Sequence, residues 1–136
     1  MGSDIQTFFK NRPMGKPATP EAICSLEEFF LASGIPMPAD LRTFLEISNG
    51  WEGFLEENYV VLWSAEELPQ ANAECEATTY APGLVLFGSD GANEVYAFDT
   101  RKPGSPVVRV PLAGMSLDDV EDEAPTLLEL LRKLAR

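Results

Sequence analysis

Hydrophobic residues recur along this chain at two spacings, three-to-four near both ends and two in the middle. Near the start, Ile5, Phe8 and Phe9 stand three and four apart, which predicts a short helix over residues 4–11. A Pro- and Gly-rich stretch, 13–20, reads as loop. Thr19 can cap the next helix, Pro20 suits its first position and Glu21 its positive end. Ile23, Leu26, Phe29 and Phe30 form its apolar stripe and Gly34 its stop, so the helix spans 20–33. Beyond the rigid Ile35-Pro36-Met37-Pro38 connector, Leu41, Phe44, Leu45 and Ser48 keep helical spacing up to Asn49-Gly50, predicting a helix over 38–48.

Residues 59–63, Tyr-Val-Val-Leu-Trp, are β-branched and aromatic and predict a strand. Ser64 and Glu67 have capping-box spacing, but Pro69 argues against a regular helix through that point, so one turn and then a helix near 69–78 is expected. Strands at 84–87 and 94–98 flank Gly88–Asn93, whose glycines suit a β-hairpin turn, and a further strand covers 107–110. Pro125 opens a last helix with Leu127, Leu128, Leu130, Leu131 and Leu134 on one face and Arg132, Lys133 and Arg136 toward its negative end. Helices, then clustered strands, then a helix predict an α+β fold with an antiparallel sheet and helices packed beside it. Parallel pairing would need a long crossover between successive strands.

At 136 residues the chain fits one domain, with 20–136 as its body and 1–19 as an N-terminal segment of short helix and loop packed on it. No apolar run approaches the roughly 20 residues that cross a bilayer, and the first residues lack the basic start and apolar stretch of a secretory signal. The expected compartment is the cytoplasm.

Charge narrows the choice of partner. The formal net charge is −12, and residues 18–100 hold 15 acids against one base, Arg42. Such a surface repels nucleic acid and anionic lipid, whose binding needs Lys and Arg, and it attracts a basic protein.

Candidate chemistry is sparse. With no histidine, Ser-His-Asp and Cys-His arrangements and imidazole metal sites are absent. Cys24 and Cys75 form no CxxC pair and read as buried, inert thiols. Carboxylate pairs such as Glu56/Glu57 or Asp90/Glu94 read as solvated charges, and the acidic run 118–123 lacks the glycine and spacing of an EF-hand loop. Gly88-Ser89-Asp90-Gly91 has no lysine and leads into a strand, so it reads as a hairpin turn and not a phosphate cradle. Asn49-Gly50 reads as a left-handed helix stop, followed by Trp51 packing on the core. No catalytic, cofactor or metal site is expected, and the chain reads as a non-enzyme.

Four segments in order carry a resemblance: Pro38 to Gly53, Leu62 to Leu68, Phe87 to Asp99, and Val110-Pro111. Together they resemble the SUKH superfamily, which takes part of its name from fungal cell-wall assembly and glucan-synthesis regulators. The resemblance covers roughly residues 20–135. It implies an α+β fold with a curved antiparallel sheet and no shared catalytic centre, with Asn49, Gly50, Trp51, Gly88, Asp90, Gly91 and Asp99 chiefly structural. Bacterial proteins of this kind commonly neutralise toxins, often nucleases, whereas the fungal ones regulate through protein contacts. Joined to the charge, this favours an immunity protein that occupies the basic cleft of a toxin. Candidate contacts are Glu52, Glu56 and Glu57 on the loop after the second long helix, with Asp90 and Glu94 at the hairpin. The alternative is an intracellular regulatory module of the cell-wall assembly type.

Overall fold

The computed structural model describes residues 2–136. Among the described residues six helices, α1 (Gly2–Phe9), α2 (Pro20–Ala32), α3 (Ala39–Ile47), α4 (Glu67–Glu74), α5 (Ala77–Tyr80) and α6 (Leu127–Leu134), accompany six strands. These are β1 (Trp51–Leu55), β2 (Asn58–Leu62), β3 (Leu84–Ser89), β4 (Glu94–Asp99), β5 (Val107–Pro111) and β6 (Glu121–Ala124). The strands lie side by side in chain order, every neighbouring pair antiparallel, in an open sheet with β1 and β6 as its edges. This is the expected α+β architecture.

Strand alternation sorts the sheet's side chains into two cores. Val85, Phe87, Tyr96, Phe98 and Val107 join Leu55, Val60 and Leu62 on one face, packed on Ile5 and Phe9 of α1, Ile23, Leu26 and Phe30 of α2, Leu41, Phe44 and Leu45 of α3, and the five buried leucines of α6. Leu84, Leu86, Val95, Ala97, Val108 and Val110 point the other way, against Ala77 of α5, Ala81 and Met115. The central strands are therefore covered on both sides. The outer side of β1 and β2 is not, and this placement defines the candidate site.

Two bulges bend the sheet, one between Leu86 and Gly88 of β3 and one between Val107 and Val108 of β5. At the first, β2 comes so close that a Cβ on Gly88 would stand 2.4 Å from the Val61 carbonyl oxygen. Because β2 and β3 pair only at Val61–Ser89 and Leu62–Gly88, Leu86 lacks a strand partner on that side. Buried Asn72 of α4 takes its place: its amide donates to the Leu86 and Leu68 carbonyls and its carbonyl accepts from Leu86 N–H.

Several expectations need correction. Residues 51–55, read as loop, form β1, and the acidic residues 121–123 with Ala124 form β6. The first helix runs from residue 2 to 9 instead of 4 to 11. Pro69 does not delay α4. It sits in the helix's first turn, where its missing N–H has no intrahelical carbonyl to meet, and the Ser64–Glu67 box closes at 3.1 and 3.0 Å. Cys24 is exposed, because Ile23, Leu26 and Phe30 are the α2 residues buried in the core, and Cys75 is only half-buried.

Candidate protein-binding surface

The chain leaves α3 through a polar clamp. Gly50 adopts φ 97°, a left-handed conformation that favours glycine, with the Leu62 carbonyl and Ser64 N–H each 3.2 Å from where a Cβ would stand. Buried Ser48 accepts from Gly15 N–H and donates to the Gly50 carbonyl. Asn49 accepts from Ala65 N–H and donates to Glu66, tying the helix end to the start of α4. Trp51 follows, half-buried, its indole N–H donating to the Pro13 carbonyl at 3.0 Å and its ring against Phe9 and over Gly53. As expected it packs against the main core, at Phe9, and it also holds the N-terminal segment.

This clamp launches a β-hairpin whose turn has two residues, Glu56 and Glu57. Glu56 takes φ 56°, unusual for a residue other than glycine, and holds a carboxylate at the tip. The strands present Glu52, Phe54, Tyr59 and Val61 outward. Phe54 is 65% exposed and its ring meets that of Tyr59 edge-on at 5.0 Å. The Tyr59 hydroxyl donates to the Glu52 carboxylate, and this bond, with some burial and the Glu52 charge, raises the phenol above its ordinary pKa.

Tyr59 also joins the hairpin to the β3–β4 turn. Gly91, at φ 79°, lets the ring lie against the turn, since a Cβ there would stand 2.6 Å from the Tyr59 ring. In that turn Asp90 accepts from the N–H groups of Ala92 and Glu94 at 2.8 and 3.2 Å, so its carboxylate holds the turn together.

The five candidate acids thus part company. Glu52, Glu56 and Glu57 share the β1–β2 hairpin, on a strand and its turn instead of the expected loop, and Asp90 stands in the adjoining turn. Glu94 lies on the opposite face, 28% exposed and paired with Arg109 at 3.2 Å. Arg109 also meets Glu121 and Glu123, and Glu121 is the largest cause of its raised pKa. Burial first, then the Glu123 and Asp90 charges, push the adjacent Tyr96 phenol up to about 12.

Asp99 is structural. Fully buried, it accepts from Arg101 through the backbone N–H at 3.0 Å and two guanidinium nitrogens at 2.9 Å, which hold its carboxyl below the usual range despite burial. The acidic run 118–123 is divided between a 3-10 turn, Leu117–Asp119, and β6. No group of three or more His, Cys, Asp or Glu residues able to hold a metal ion occurs among the described residues. No helix among them is long and apolar enough to cross a membrane.

Reading the residues alone missed Phe54, Tyr59 and Asn72. Trp51, Gly53 and Leu55 alternate with Glu52 and Phe54, and that alternation was the available signal for the first two. Nothing local announced Asn72.

An acidic sheet-and-helix body, with Phe54 exposed beside carboxylates that no base among the described residues neutralises, has the features of a protein-binding module. The family model described as the SMI1 / KNR4 family (SUKH-1) matches residues 17–133, and the chain belongs to that family. At family level this is a protein-binding module of immunity or regulatory type, generally non-catalytic. A search of curated proteins finds no match.

Proposed function

We propose that this chain is a cytoplasmic immunity protein that neutralises a basic toxin by direct binding, with the β1–β2 hairpin and the β3–β4 turn as its contact surface. One observation carries the reading. Glu52, Glu56 and Glu57 share the hairpin with exposed Phe54 and half-buried Tyr59 and form no ion pair with a base among the described residues. Lys102, Arg109 and Lys133 are spent instead on the acids of β6 and on Glu94. Uncompensated carboxylates around an aromatic centre suit a cationic partner: the charges speed encounter and the rings supply buried area. A toxin that grips nucleic acid must offer a basic cleft, where these carboxylates stand in for phosphates.

The test takes the products of the adjacent genes: co-expression of this chain should protect cells from a toxic one. Replacing Glu52, Glu56 and Glu57 together by Gln should slow association by about tenfold at low salt and flatten its salt dependence. Unchanged association and salt slope would remove the hairpin from the interface. Failure to protect against any adjacent gene product would favour the regulatory reading, a module docking on cellular proteins.

A further inference from the structure

The β1–β2 hairpin offers backbone as well as side chains. Its two-residue turn makes Leu55 and Asn58 the closing hydrogen-bonded pair, and alternation then assigns Gly53 and Trp51 the remaining bonds to β2. The N–H and C=O groups of Glu52 and Phe54 are therefore turned away from β2. The sheet order leaves no strand beside them among the described residues. A groove of about 610 Å³ runs between this edge and the segment 11–15.

An open edge invites pairing, and β1 carries neither proline, lysine nor bulge to discourage it. What it does carry is charge. Antiparallel pairing of two β1 strands would bring two sets of Glu52, Glu56 and Glu57, and two bodies of net charge −12, against one another. The carboxylates thus deter a second copy and favour a strand of opposite sign.

We propose that β1 is a docking edge, where an extended segment of the partner, alternating Lys or Arg with apolar residues, adds as a seventh strand against Glu52 and Phe54. The proposal rests on the basic-partner reading above. Cations on one face of the added strand meet the Glu52 carboxylate and the Phe54 ring, and the apolar side chains of its other face look toward Trp51 and the groove.

The probe is an amidated eight-residue peptide alternating Lys and Val, compared with the same peptide N-methylated at alternate amides, each titrated into the full chain by NMR. Amide exchange at Glu52 and Phe54 should slow by about tenfold or more, and the methylated peptide should bind at least about tenfold more weakly, since it cannot complete the ladder. Glu52→Pro removes an N–H that β2 does not use, so it should keep the hairpin yet lose the protection at Phe54. Glu52→Gln should weaken binding at low salt while protection persists. Should the proline variant fail to fold, the two peptides on the unaltered chain decide.

No binding, equal affinity of the two peptides, or binding without protection of these amides would overturn the proposal. So would protection without peptide in a concentration-dependent dimer, which would assign the edge to a second copy. Cells protected from the toxin while its complex leaves the edge amides exchanging freely would sink this proposal alone. A protected edge with no cellular protection would sink the toxin reading alone.

Discussion

The two edges of this sheet carry the same sign of charge in opposite arrangements. On β6, Glu121, Asp122 and Glu123 meet Arg109, Lys102 and Lys133, and Glu123 is so enclosed that its side chain is 8% exposed. On the β1–β2 hairpin the acids meet no base among the described residues, Phe54 lies open, and the turn holds a non-glycine residue at positive φ. One edge is closed by its own counter-ions. The other is left charged, and the difference teaches that acidity acts locally: carboxylates that find bases build structure, and those that do not are free to recruit.

The comparison can be broken at several points. Gly88→Ala should have the largest effect, about 3 kcal/mol of lost stability in urea unfolding, because its Cβ would meet backbone where β2 joins β3. A wild-type midpoint would mean that the joint carrying the hairpin is soft. Arg109→Met should cost about 2 kcal/mol, as it leaves Glu94 and Glu123 without their shared cation. A loss below the error of the melt would make the closed edge no better held than the open one.

Asp99 lies at the end of β4, away from both edges, and serves as a reference. Its carboxyl is held below the ordinary value by Arg101, so its contribution is present above the unfolded pKa of about 3.9 and fades as pH falls through the lower folded value. Asp99→Asn should cost about 2 kcal/mol near neutral pH and flatten the acid limb of the stability profile. An acid limb identical to the parent's would exclude Asp99 from acid unfolding. Glu56→Gly should have the smallest effect, a gain of about 0.5 kcal/mol from relieved strain offset by glycine's entropy. If the variant is instead less stable, the turn is not strained, and the contrast with β6 rests on charge alone.

The α+β class, α2, α3, α6 and strands β2 to β5 were legible because each carries its own periodicity and punctuation. Thr19 accepts from Ala22 N–H and Thr126 from Glu129 N–H, local bonds that depend on nothing distant. The two edges were not legible. Gly53 and the surrounding glutamates weaken the strand signal of β1, and Glu121-Asp122-Glu123 looks like a solvated run until Arg109, twelve residues before Glu121, is laid beside it. Of the candidate acids, proximity in sequence grouped Asp90 with Glu94, and the turn keeps them in contact through the Glu94 N–H, but Glu94 is spent on Arg109 while Asp90 holds the turn.

By itself, then, the sequence determined the elements whose signals are local, the excess of negative charge and the absence of imidazole chemistry. Only the tertiary structure decided which carboxylates are paired, because an ion pair depends on what the fold brings within a few ångströms: antiparallel pairing of β5 with β6 put Arg109 beside Glu121, Lys102 and Lys133 reached Asp122 and Glu123, and no base among the described residues pairs with the glutamates of the β1–β2 hairpin.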